Sequence, residues 1–333
     1  MNEMSRILCP KADLPKQERI DAVVAEFDRW VRSETMAALV LAFGGDAAEL
    51  NKGSTIDVLR WLKSFAVVWD YRKKQASATT KEGEAARWLL KADESVAGKE
   101  SLIYQAAEQL GLIGTEQTVY EQADYVLPLG GARLSNLQRC QAAQKVTEQL
   151  KTPATVVALS GLRPISQTER EGYVDTYAPD AETEFDAISA GMCRAFGISN
   201  RFEDQIEPND NPNLCATVRQ FAEAYQGSEL YALAAPSSVP ERRANSADCF
   251  HDFFRRFAVP TGAKLINCTS QIYCTYQQVR ALSFAIEYGV EFDTIGFHAE
   301  NGATNAGLSQ PVNCLQEIKG TIDAMNDFVE RFV

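Results

Sequence analysis

The sequence predicts a mainly parallel, three-layer α/β sandwich with a helical N-terminal region. Three observations carry that prediction. From about residue 120, apolar β-rich runs alternate with stretches of helical length and period. Each run gives way to a polar or glycine-bearing segment, the pattern of βαβ units whose right-handed crossovers place helices on both faces. Upstream of that, helical spacing dominates.

The N-terminal elements follow in order. Leu14-Pro15 with Glu18 marks a helix start, and Ile20, Val23, Val24, Phe27, Trp30 and Val31 recur at helical spacing. Gly44-Gly45 breaks the pattern. Ser54-Thr55-Ile56-Asp57 opens a second helix with Val58, Leu59, Leu62, Phe65 and Ala66 as its apolar stripe. A polar loop is expected over Lys73–Glu84, then helices over Ala85–Lys91 and Leu102–Leu110. All four tryptophans (Trp30, Trp61, Trp69, Trp88) lie in this region, as anchors of a helical subdomain, a cap over the site, or a surface that recruits a protein partner. The expected division is a helical subdomain over 1–118 and an α/β domain over 119–333.

The α/β elements pair strand with helix: Tyr125–Leu129 with 135–150, Thr155–Leu159 with 183–196, Glu229–Ala234 with 244–257, Ala263–Cys268 with 275–288, and Phe292–Phe297 with 313–332. The stretch 201–227 begins as a loop around Pro208-Asn209-Asp210-Asn211-Pro212, and Leu214–Tyr225 reads as an additional helix.

Ligands of open parallel sheets bind beyond the C-terminal strand ends, at a switch point in strand order. Five segments should converge there. They are Gly130-Gly131-Ala132-Arg133 with Asn136 and Arg139; Ser160-Gly161-Leu162-Arg163 running on to Glu169 and Glu171; Pro236-Ser237-Ser238 running to Asn245 and Asp248; Thr269-Ser270 with Tyr273, Tyr276, Gln277 and Arg280; and Gly296-Phe297-His298. Arginines, hydroxyls and glycines in this setting suit a phosphorylated or carboxylated ligand, because a guanidinium binds such groups through paired hydrogen bonds. Glu184 has two readings: part of a helix start capped by Thr183, or a group over the crevice that binds a ribose hydroxyl, an amine or a metal, or acts as a base. His298 is the other candidate acid or base, against the reading of a loop histidine without a catalytic role.

Bulk properties narrow the field. A net charge of −12 with no Lys/Arg block argues against nucleic acid and anionic membrane as partners. Eight cysteines without a CxxC spacing, beside two histidines, read as reduced structural thiols and give no metal site. No secretory signal or spanning segment is legible, so a cytoplasmic location is expected. No GxSxG, Walker A, GxGxxG or HExxH sequence occurs.

The ordered set Leu129-Gly130-Gly131, Leu159-Ser160-Gly161, Thr183-Glu184, Ala244-Asn245-Ser246-Ala247-Asp248 and Thr269-Ser270-Gln271-Ile272-Tyr273 with Arg280 resembles the YdcF/SanA/ElyC-like bacterial proteins, a domain family of largely unassigned function. The similarity covers about 120–300. Tyr273 stands where that family usually has His, and Asp248 where it has Glu. The resemblance implies a Rossmann-like sandwich with its polar site built from Gly130, Gly131, Arg133, Ser160, Gly161, Arg163, Glu184, Asn245, Asp248, Thr269, Ser270, Tyr273 and Arg280. It also implies S-adenosylmethionine or another nucleotide as a cofactor class. Together these readings lead to a protein binding a small anionic or nucleotide-like metabolite, with group transfer or hydrolysis as the reaction classes. The alternative is a non-catalytic module that recruits a protein partner through its helical region.

Overall fold

The computed structural model describes residues 6–76, 85–113, 116–297 and 310–333. His298 therefore lies outside the described residues. In chain order the helices are α1 (Lys16–Val31), α2 (Glu34–Ala42), α3 (Thr55–Phe65), α4 (Tyr71–Lys74) and α5 (Glu100–Gln109). There follow β1 (Tyr125–Pro128), α6 (Ser135–Gln149), β2 (Thr155–Ser160), α7 (Gln167–Arg170), α8 (Glu184–Phe196), β3 (Phe202–Glu207), β4 (Ala216–Phe221) and β5 (Leu230–Ala234). The remainder is α9 (Ser246–Arg256), β6 (Lys264–Ser270), α10 (Cys274–Tyr288), β7 (Glu291–Phe297) and α11 (Pro311–Phe332). Two compact units result, one from residues 1–115, 271–287 and 298–333, the other from 116–270 and 288–297.

The second unit is the α/β sandwich. Its seven strands run β3-β4-β5-β2-β1-β6-β7, parallel from β5 to β7 and antiparallel at β3 and β4. Strand alternation sorts the two faces. Val126 packs with Ala143, Ile188 and Met192 of α6 and α8, whereas its neighbour Tyr125 meets Phe253 of α9 edge-on at 5.2 Å. Helices therefore cover opposite faces of the sheet, the three-layer arrangement expected from the sequence. The local signals agree with the boundaries. Thr183 and Asp186 form a capping box at the start of α8, Gly197 ends it at φ 65°, and Asn245 with Asp248 caps α9 the same way.

Two local expectations are corrected. The segment 201–227 is a β-hairpin: Phe202 pairs with Phe221 and Glu207 with Ala216 around the Asn/Pro-rich turn. Thr217, Val218 and Phe221 have the branched and aromatic character of a strand, and six residues are too few for helical and strand periods to separate. Second, Ala85–Lys91 holds only a single 3-10 turn, Arg87–Leu89.

The first unit is helical, and α11 runs through its core. Fifteen of its 22 residues are buried, and it packs against α1, α3, α4 and α5. Ser33 caps α2, and Ser54 with Asp57 forms a capping box on α3. Trp30 and Trp69 are fully buried, and the Trp30 indole donates to the Leu110 carbonyl at 3.1 Å. Trp61, partly buried, stacks on Phe65 at 5.4 Å. Among the described residues no helix is long and apolar enough to cross a membrane.

None of the eight cysteines is in a disulfide, and Cys140, Cys249, Cys268, Cys274 and Cys314 are buried. Burial, reinforced by Glu317, pushes the Cys314 thiol up to about 12, and burial also raises Cys140 and Cys249. Iodoacetamide at neutral pH is therefore expected to label only Cys9, Cys193 and Cys215 in the folded chain, because the thiolate is the reactive form. Peptide mass spectrometry checks this. Labelling of Cys140 or Cys314 as fast as Cys215 would contradict the packing.

Candidate functional site

The strand order locates the switch point. From β1 the chain steps to β2 and on to β5, then returns to the other side of β1 for β6 and β7. The crevice belongs beyond the C-terminal ends of β1 and β6, where the Gly130–Arg133 and Thr269–Ser270 turns lie.

A continuous set of contacts joins the strand ends in the order β6, β1, β2, β5. Arg139, buried on α6, donates to the Leu129 carbonyl at 2.9 Å, to the Gly130 carbonyl, and to the Ser270 hydroxyl at 3.2 Å. The Gly131 N–H donates to the Asn136 side chain at 2.8 Å, and the Gly130 N–H donates to the Leu159 carbonyl at 2.6 Å. Leu159 brings in Ser160, whose hydroxyl donates to Leu233 of β5 at 3.1 Å. A side chain added at Gly161 would touch Ala244, just before α9.

Both glycines are demanded by close approach. A Cβ at Gly130 would collide with Glu184 Oε1 and come within 3.0 Å of the Leu159 carbonyl. At Gly131 it would press on the Arg139 guanidinium at 3.0 Å. The turn is thus packed between a carboxylate and a guanidinium. Arg133, at φ 56°, stacks its guanidinium 3.9 Å from the Tyr173 ring centroid, and its carbonyl accepts from Tyr177 at 3.1 Å. This left-handed residue closes the turn.

Arg163 lies between two carboxylates. It binds Glu169 through two bonds of 2.8 Å and Glu184 at 3.0 Å. Burial opposes the charge of Arg163, but the two carboxylates outweigh it and raise its pKa. Burial pushes Glu169 up, yet hydrogen bonds from Arg163 and Ser166 bring it below the ordinary glutamate range. Glu184 is oriented by Arg163 through one oxygen while the other faces Gly130, and its side chain stays 15% exposed. Lone pairs remain for a ligand hydroxyl or amine. Around the turn stand three guanidiniums (Arg133, Arg139, Arg163) and two carboxylates (Glu169, Glu184), one net positive charge in an acidic chain.

Other candidate residues hold local structure. Asn245 accepts from the Ala247 and Asp248 N–H groups. Asp248 accepts from the Asn245 and Ser238 N–H groups and from Arg242. Burial works against its charge, and these bonds still lower its pKa. Thr269 is fully buried, with its hydroxyl unpartnered among the described residues. Tyr273 and Arg280 belong to the helical unit, where Arg280 pairs with Asp327 at 2.7 Å. The part of Arg139 in joining β1 to β6 and that of Glu169 in holding Arg163 are not assigned from sequence. The signal for Arg139 is its position one turn into the helix that follows Gly-Gly. Among the described residues no group of three or more His, Cys, Asp or Glu could hold a metal ion.

Comparison with known proteins finds similarity to other proteins than those the motifs suggest. Residues 15–111, within the helical unit, match the model of the Rv3785 N-terminal domain. The uncharacterized protein Rv3785 of Mycobacterium tuberculosis is 29% identical over 345 residues, spanning 98% of this chain and 95% of the relative. The chain is similar to Rv3785 along nearly its whole length. The uncharacterized proteins MT3893 of another M. tuberculosis strain and Mb3814 of Mycobacterium bovis are equally similar, at 29% over the same shares. No solved structure matches. The similarity to Rv3785 overturns the resemblance to YdcF/SanA/ElyC-like proteins, and the case for S-adenosylmethionine that rested on it falls too. The physical reason is general: parallel sheets place Gly-Gly, Ser-Gly and Thr-Ser turns at strand ends wherever ligand or backbone must come close, so the motifs recur without kinship.

Proposed function

We propose that the α/β unit binds a small anionic or nucleotide-like ligand at the C-terminal rim of β1, β2 and β6. One observation carries the reading: the Gly130–Gly131 turn stands at the switch point, with Arg139 beneath it and Glu184 against it. The excess positive charge favours an anionic group, and the oriented carboxylate suits a ribose or other hydroxyl. Group transfer or hydrolysis of a phosphorylated or nucleotide-linked substrate fits this set, with Glu184 as the acid–base group.

Equilibrium dialysis against AMP, ATP, inorganic phosphate and glucose 6-phosphate tests the proposal. At least one should bind the wild type. Gly130→Ala, which displaces Glu184, should weaken that ligand at least tenfold, and the isosteric Glu184→Gln should weaken nucleotides more than phosphate. No binding by the wild type, or binding unchanged in both variants, rejects the site.

A further inference from the structure

The helical unit holds an open cleft, unrelated to the rim of the sheet. Its volume is about 570 Å³, within the range of about 300–1,000 Å³ usual for small-molecule sites. Four helices of that one unit supply its cations. Lys63 stands near the end of α3, Lys73 and Lys74 close α4, Arg280 comes from α10 and Lys319 from α11. Against these five cations the lining holds three carboxylates, Asp70, Asp323 and Asp327. Two net positive charges therefore face one hollow in a chain whose net charge is −12. Arg280, which the sequence points to as a ligand residue of the sheet, takes its place here instead.

The carboxylates divide the cations into two sets. Lys319 is held by Asp323 at 2.6 Å and Asp70 at 3.3 Å, and Arg280 by Asp327 at 2.7 Å, so these two charges are fixed in position. The other three are loosely engaged and solvated. Lys73 is 3.7 Å from Asp70 with its side chain 67% exposed, and Lys63 is 3.5 Å from Glu330, outside the lining, with its side chain 42% exposed. Lys74 donates to the Val68 carbonyl at 2.6 Å and has no carboxylate partner among the described residues. Exposed pairs of this kind hold weakly, and each ammonium carries three donors, so an incoming anion can recruit all three lysines. Their chemistry selects the ligand. One carboxylate would engage one or two of the ammoniums, whereas linked phosphates carry several charges along a short chain and match cations spread over several helices. Val67 is the one apolar residue of the lining among the described residues, so a nucleobase or acyl chain would find little to pack on. We propose that this cleft binds a compact oligophosphate, two or more linked phosphate groups, with Lys63, Lys73 and Lys74 as adjustable donors beside the fixed charges of Arg280 and Lys319.

The test is isothermal titration calorimetry of the full chain with inorganic tripolyphosphate, pyrophosphate, orthophosphate and citrate. Tripolyphosphate should bind most tightly and orthophosphate least, and raising the salt from about 0.1 M to about 1 M should weaken tripolyphosphate at least tenfold. The double variant Lys63→Gln/Lys73→Gln should also weaken it at least tenfold. The melting temperature of that variant without ligand should stay level, since both side chains are solvated. Lys52→Gln/Lys151→Gln, the same change in net charge at exposed lysines outside the lining, should leave tripolyphosphate binding unchanged. So should Glu184→Gln, which separates this cleft from the rim of the sheet. Absence of tripolyphosphate binding by the wild type, citrate binding of equal strength, a comparable loss in Lys52→Gln/Lys151→Gln or Glu184→Gln, or binding that survives Lys63→Gln/Lys73→Gln overturns the proposal.

Discussion

Arg163→Ala is expected to destabilise the α/β unit by about 3–5 kcal/mol, the usual cost of leaving a buried charge without its partner. Glu169 is 2% exposed and would lose both guanidinium bonds. Urea denaturation followed by far-UV circular dichroism reads the effect. Its pH dependence has a definite sign. In the wild type the folded-state pKa of Glu169 is depressed, so its contribution is present above the unfolded value and is lost as the pH falls through the folded one. In the variant burial acts with Arg163 gone and raises that pKa, so the penalty shrinks as the pH falls toward the ordinary glutamate value of about 4.3. The gap between the two proteins should therefore be widest near neutrality. A loss below about 1 kcal/mol, the range of exposed pairs, would show that Arg163 does not bear on stability in this way.

Phe328→Ala should cost the helical unit a similar amount, about 3–5 kcal/mol for a phenyl ring removed from a closed core. Phe328 is fully buried, edge-on to Phe27 at 5.4 Å and 4.8 Å from Phe332. All four tryptophans lie in this unit, so indole fluorescence during denaturation reports on it specifically. Phe332→Ala, at a partly buried position of the same helix, should cost clearly less. Equal losses would mean that α11 does not pack as described.

The parallel core was legible because its strands are buried on both faces and carry short apolar runs ending in hydroxyl residues, as in Val156–Leu159 before Ser160 and Leu265-Ile266 within Lys264–Ser270. The hairpin of β3 and β4 was not. Glu203, Asp204, Gln205 and Glu207 are exposed on the edge strand; such polar residues hide a strand from any hydrophobic reading, and the three acidic ones protect its open edge from pairing with other chains. The meeting of Gly130 with Ser270 follows from strand order, which glycine and hydroxyl punctuation foreshadows. The Arg163–Glu169 pair lies within reach of sequence reasoning, six residues apart. The Arg87–Glu317 pair spans 230 residues and only the packing of α11 brings it about. For the same reason Tyr273 and Arg280, read as ligand residues after β6, are found among the helices.

The discontinuity of the helical unit bears on how the chain is made. Residues 6–113 leave the ribosome before the whole α/β segment has been translated, yet the helix that fills their core, α11, emerges after it. During synthesis the α/β segment can close on itself first, while Phe27 and Trp30 wait for Phe328 and its neighbours. The nascent N-terminal helices thus pass through an interval with apolar faces uncovered, when chaperone engagement would matter most.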